Sequence, residues 1–192
     1  MVYVVDNFIE QYLFDSIQKK LNSDEYSEVK TPGHSFWVQP ATDQIIKYII
    51  SKLEEKENQK LENILAFFRV SNEDVDTNWR IHSDLTIEGQ KPDRALVLYI
   101  SPKKIKELHG TALWEHNVYG KSLPDNVTGE EFDRMISKES ENLDMWNLSS
   151  VLGYEENRAI SYPANYFHSK YPNKSWKEGR QVFVMFYKIK LN

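Results

Sequence analysis

The fold class predicted by this sequence is a mainly antiparallel β sandwich with helices packed on one face, and three observations predict it. Apolar residues recur at helical spacing within about the first 60 residues and in one later segment. From Leu61 onward the pattern changes to short runs rich in β-branched and aromatic residues. Helices followed by many strands, rather than alternating with them, collect the helices on one side of a sheet.

The elements are taken in chain order. VYVV reads as a short strand, Asp6 or Asn7 is placed to cap the first helix, and Ile9, Leu13, Ile17 and Leu21 form the buried stripe of that helix. A second helix is expected from about Pro40 into the charged run KLEEKENQK, with Ile45, Ile46, Ile49, Ile50 and Leu53 on its apolar side. Strands are expected at ILAFFRV, NWRIHSDL, RALVLYIS, GTALWEH, NLSSVLGY, NRAISYPA and RQVFVMFYKIKL. Thr128 with Glu131 three residues on is a capping box that opens one late helix, TGEEFDRMISKESEN. The expected organisation is one domain: an N-terminal strand and helices over about residues 1–60, and a sandwich core over about 61–192 with an inserted loop and helix at about 115–146. That insert is long and polar enough to serve as a lid over a substrate mouth.

Composition excludes several classes of function. The chain has 192 residues, of which 40% are hydrophobic and 13% aromatic, so it can bury a real core and is not a disordered segment. Without cysteine there can be no disulfide, thiolate metal site, iron–sulfur cluster or cysteine nucleophile. A net charge of −5 argues against nucleic acid as a partner, since that affinity rests on Lys and Arg displacing counterions. MVYVVDNFIEQ has neither the basic start nor the apolar run of a secretion signal, and no stretch is apolar for long enough to span a bilayer; a cytoplasmic protein is expected.

The chemistry-bearing stretch is NWRIHSDLTIEG. Side chains alternate along a strand, so His82 and Asp84 would share a face and their functional ends could meet at one ion. A lone His-x-Asp pair is weak, and it needs a third ligand. His168 is the best partner, 86 residues beyond His82 at the end of a strand-like run. Arg180 then opens the last apolar strand, where a permanent charge calls for an anionic partner. Two imidazoles and one carboxylate leave three positions of an octahedral ion open, the donor set suited to non-heme Fe(II). His34, His109 and His116 read as loop or surface residues, with His116 near a substrate mouth at most, and the five tryptophans as packing.

These residues resemble the motif of the 2-oxoglutarate- and Fe(II)-dependent dioxygenases of the prolyl-hydroxylase-like type: HSD at 82–84, the distal His168, then Pro172, Gly179 and Arg180. VVDNFIEQYLFDSIQKKL is similar to the opening strand and helix of that family, and HGTALWEHNVYG to its Gly-rich segment. The resemblance implies a double-stranded β-helix, a jelly-roll sandwich with helices on its larger sheet. It implies Fe(II) held by His82, Asp84 and His168, with 2-oxoglutarate as cosubstrate and O2 as oxidant. Arg180 would pair with the distal carboxylate of 2-oxoglutarate, with Lys177 in reserve because the interval after His168 is longer than usual, and Tyr99 in RALVLYISP would be a second contact. Asp84 favours hydroxylation over halogenation, because the halogenating relatives lack that carboxylate. The implied reaction releases succinate and CO2 and hydroxylates an unidentified substrate, a protein residue such as proline or a small molecule. The competing reading is a jelly-roll binding module without turnover. Oligomeric state is not legible.

Overall fold

The computed structural model describes residues 1–23, 26–31, 34–76, 79–101, 109–124, 127–173 and 179–190. In chain order the elements are β1 (Tyr3–Val5), α1 (Gln11–Ser23), β2 (Ser27–Thr31), β3 (His34–Pro40), α2 (Asp43–Glu57), β4 (Leu61–Ser71), β5 (Arg94–Tyr99), β6 (Gly110–His116), α3 (Gly129–Glu139), a single 3-10 turn (Leu143–Met145), β7 (Trp146–Gly153), β8 (Ala159–Pro163), β9 (His168–Tyr171) and β10 (Arg180–Ile189). They form a seven-stranded sheet in the order β1-β8-β5-β10-β4-β3-β2 and a three-stranded sheet in the order β7-β6-β9. Every pairing is antiparallel.

The period-two alternation of the central strands separates two apolar layers. Leu96 and Leu98 of β5, Phe183, Met185 and Tyr187 of β10, and Phe68 of β4 face one side, where they pack with Phe14, Ile17, Ile49 and Leu53 of α1 and α2. The alternate residues, Ala95, Val97 and Tyr99 of β5 with Val182 and Phe186 of β10, face the other side and meet Leu113 of β6. A central strand buried on both faces has little room for polar alternation, which is why ALVLY reads as one continuous run; all six residues of β5 are buried, Arg94 with its charge beside Glu57. A third cluster, with Trp114, Trp146, Phe167, Met135 and Ile136, fixes α3 to the outer face of the small sheet. Among the described residues no helix is long and apolar enough to cross a membrane.

Three expectations are corrected. The described part of NWRIHSDL, residues 79–85, is not a strand: outside its one antiparallel bridge from His82 to His168 it has no ladder. Its amides instead reach three separate acceptors, from Ile81 to the Ser140 carbonyl, from His82 to that of His168 and from Asp84 to that of Ala164. The β2–β3 hairpin is absent from the expected strands, because its polar SEVKT strand carries little apolar signal and pairs at the sheet edge. The first helix starts at Gln11 rather than at a cap on Asp6 or Asn7. Asp6 is engaged by Arg158 at 2.5 Å, Asn7 has a left-handed φ of 50°, and the Asn157 side chain bonds both the amide and the carbonyl of Ile9. The expected capping box is present, with Thr128 accepting from the Glu131 amide and Glu131 accepting from that of Thr128.

Candidate metal centre

Three side chains converge where the two sheets open. His82 and Asp84 come from the bridged segment after β4, and His168 is the first residue of β9, so the His82–His168 bridge itself sets two of the three side by side. Each offers a ligand atom within 4.8 Å of the others. His168 Nε2 stands 3.3 Å from Asp84 Oδ2, and His82 Nε2 stands 4.0 Å from Asp84 Oδ1. The ring centroids of the histidines are 4.4 Å apart.

The backbone decides which nitrogen each ring presents. His82 Nδ1 lies 3.2 Å from the Arg80 carbonyl and His168 Nδ1 lies 2.9 Å from that of Tyr166. A carbonyl can only accept, so each Nδ1 carries a proton and each Nε2 is the nitrogen turned toward the common point. Burial holds His82 well below the usual histidine pKa, with the positive surroundings of His168 and Arg80 acting the same way, so its imidazole stays neutral as a ligand must. Burial raises Asp84 above its ordinary value, and the neighbouring His168, Arg69 and Arg80 oppose that rise only in part. The donor set is one that a divalent cation would complete: two imidazole nitrogens turned to one point, and a carboxylate whose buried charge lacks a full counterion.

The triad lines a cleft of about 860 Å3 including its open mouth, whose walls also include Val97, Val182, Phe186 and Arg180. Arg180 is 7% exposed. Its Nη2 donates to Thr111 Oγ1 at 3.3 Å, its guanidinium lies 5.4 Å from the centre of the Tyr99 ring, and its Nε has no hydrogen-bond partner among the described residues. A buried guanidinium with an idle donor is an anion site in waiting. Arg180 reaches the cleft because β10 alternates: it shares the face of Val182, Val184 and Phe186.

Tyr99 is fully buried, and its hydroxyl lies 3.0 Å from both Thr111 Oγ1 and the Leu152 carbonyl. It supports Thr111, which in turn meets Arg180. Lys177 lies outside the described residues. His116 is not near the mouth: it is buried behind the small sheet, with Nε2 2.8 Å from Glu139 and its ring stacked on Tyr119. His109, expected in a loop, is buried against the ring of Tyr154. Sequence reasoning passed over Arg69, Trp79, Arg80, Thr111, Tyr162 and Lys170, all of which line the cleft. For Arg69 the signal was present, since it alternates with Phe67 and Ser71 on β4; for the others nothing local marks the role.

No protein-family model matches the sequence, and no curated protein sequence matches it. Solved structures do match its fold. HygX from Streptomyces hygroscopicus, with nickel, 2-oxoglutarate and hygromycin B bound, superposes with a TM-score of 0.61 at 11% identity, covering 97% of this chain and 82% of that one. The epimerase SnoN, in complex with Fe3+, alpha ketoglutarate and nogalamycin RO, gives 0.63 at 12% identity over 97% and 78% of the two chains. A Pseudomonas putida prolyl-4-hydroxylase gives 0.57 at 9% identity over 99% and 93%. The jelly-roll fold implied by the motif is thus borne out: the chain has the architecture of 2-oxoglutarate and Fe(II) oxygenase structures, helices on the larger sheet included.

Proposed function

We propose that the protein is an Fe(II)- and 2-oxoglutarate-dependent oxygenase that hydroxylates a C–H bond of a protein residue such as proline or of a small molecule, with release of succinate and CO2. The observation that carries this reading is the convergence of His82 Nε2, His168 Nε2 and the Asp84 carboxylate in one cleft with the buried Arg180. HygX and SnoN, which share the fold, were solved with 2-oxoglutarate or alpha ketoglutarate bound, and that supports it.

His82, Asp84 and His168 would hold the iron, which when bound supplies the oxidising chemistry with dioxygen. The remaining work falls to the chain. The Arg80 and Tyr166 carbonyls keep both imidazoles turned with Nε2 inward. Arg180 would hold the distal carboxylate of 2-oxoglutarate, with Thr111 beside it and the Tyr99 hydroxyl fixing Thr111. Val97, Val182 and Phe186 keep water from that end of the cleft. Tyr162, whose ring is 4.9 Å from that of His168, is held neutral by burial and adds no charge there.

The test is reconstitution with Fe(II), ascorbate, 2-oxoglutarate and oxygen, following succinate. The expected result is slow succinate release without substrate, abolished in His168→Ala and Asp84→Asn. A wild-type protein that binds neither iron nor 2-oxoglutarate would overturn the reading and leave the binding module.

A further inference from the structure

We infer that the primary substrate carries an anionic group, a carboxylate or a phosphate, and that this group is held at the outer part of the cleft by Arg80 with Arg69 beside it. The inference rests on the oxygenase reading and extends it to the other reactant.

Three guanidinium groups line the same cleft: Arg69, Arg80 and Arg180. They lie at different depths. Arg180 is buried, whereas Arg80 is half-buried and the Arg69 side chain keeps 29% of its exposure. The buried cation suits a cosubstrate enclosed by the fold, and the two more exposed ones remain for the substrate.

Pairing the guanidinium charges leaves one over; the cleft's lysine, Lys170, donates to the Ser71 hydroxyl and the Asp76 carbonyl. Arg69 is matched by Asp76, Nε to Oδ2 at 2.5 Å, and Asp84 by the metal. Arg180 would be matched by the distal carboxylate of 2-oxoglutarate. Arg80 has no such match: among the described residues no carboxylate stands within ion-pairing distance of its guanidinium, and no side chain hydrogen-bonds to it. A cation turned into a partly desolvated cleft without a counterion is an attractive site for an anion.

The surroundings hold this pair in place. Trp79, next in the chain to Arg80, donates from Nε1 to the Lys170 carbonyl at 2.9 Å and packs edge-on against Trp114. The Arg80 carbonyl receives Nδ1–H of His82, so the residue that would grip the substrate is bonded through its backbone to a metal ligand. An anion on the Arg80 side chain would therefore carry the rest of its molecule across the triad. Arg69 is clamped by Asp76 at Nε and by the Phe36 ring, 5.3 Å from its Cζ. Its Nη groups have no hydrogen-bond partner among the described residues, so one edge of a planar fork remains for an oxyanion.

The experiment uses the nickel-loaded protein with saturating 2-oxoglutarate, so that Arg180 is occupied, and titrates phenyl phosphate, benzoate and neutral benzyl alcohol by calorimetry. The aromatic anions should bind at least tenfold more tightly than benzyl alcohol, and the preference should shrink as salt is raised. Arg80→Ala should erase the preference, and Arg80→Lys should restore part of it. Phenyl phosphate ahead of benzoate assigns a phosphate, and the reverse order a carboxylate. Anions that bind no better than the alcohol, that bind equally well to Arg80→Ala, or that displace 2-oxoglutarate would overturn the inference. An anion preference in the parent that does not shrink as salt is raised would overturn the inference even if Arg80→Ala fails to fold. A parent that takes up no nickel or 2-oxoglutarate would instead bring down the oxygenase reading and this inference with it.

Discussion

At the scale of single residues, the candidate metal centre places a carboxylate where burial does not favour its charge. Only 13% of the Asp84 side chain is exposed, and burial raises its pKa above 3.8. A carboxyl group whose folded pKa is raised binds its proton more tightly folded than unfolded. The ionised form therefore costs stability at neutral pH, and that cost disappears as the pH falls below the unfolded value. Asp84→Asn removes the charge while keeping the shape. In the absence of metal, Asp84→Asn is expected to melt above the parent at pH 7, and the gap is expected to close as the pH is lowered toward 3.8. With Fe(II) or Ni(II) in excess the order should reverse, because only the parent gains binding energy. Thermal melts at two pH values, with and without metal, check all three statements; a parent more stable than Asp84→Asn when metal-free would show that His168, 3.3 Å away, already neutralises the carboxylate.

At the scale of elements, the sequence was most legible where burial is two-sided or periodic. β4, β5, β6, β8 and β10 all fall on the expected apolar runs, and α2 and α3 on the expected stripe and cap. It was least legible where geometry comes from a partner far along the chain. The pairing of His82 with His168 is a single bridge across 86 residues, so the candidate triad was readable from residue types while the strand expected around His82 was not there. Arg80 and Tyr162 carry no local pattern that distinguishes them from an ordinary surface arginine and a core tyrosine. The insert at about 115–146 was expected as a lid, yet much of it is anchored. Met135 and Ile136 are buried, Trp146 Nε1 donates to the Glu139 carbonyl at 2.7 Å, and His116 meets the Glu139 carboxylate. Met135→Ala should accordingly cost about 2–5 kcal/mol, the usual loss for a truncated core residue that leaves a cavity. Denaturant unfolding should show a lowered midpoint with an unchanged slope. A loss below about 0.5 kcal/mol, the range of surface changes, would mean that α3 is loosely held and free to act as a lid.

At the scale of the whole molecule, the site joins the two sheets, and its ligands should therefore stabilise the fold as one unit. His168 comes from the small sheet and Arg180 from the large one, with Thr111 of β6 touching Arg180 across the cleft. A ligand that binds only the folded state adds stability in proportion to the logarithm of its saturation, about 2.7 kcal/mol at a hundred times its Kd. The oxygenase reading makes this gain ordered: 2-oxoglutarate chelates the metal, so it should raise the melting temperature of the metal-loaded protein well beyond that of the metal-free one. Arg180→Ala should leave the metal-induced rise intact and remove most of the rise due to 2-oxoglutarate, since truncating one partner of a buried charge pair costs about 2–5 kcal/mol of binding. Arg180→Lys should recover part of it, keeping the charge without the planar fork. If instead 2-oxoglutarate stabilises the metal-free protein as strongly, or Arg180→Ala keeps the full rise, the distal carboxylate is held elsewhere. Lys177→Ala, at the reserve position named by the sequence, is the variant that should then lose the 2-oxoglutarate response.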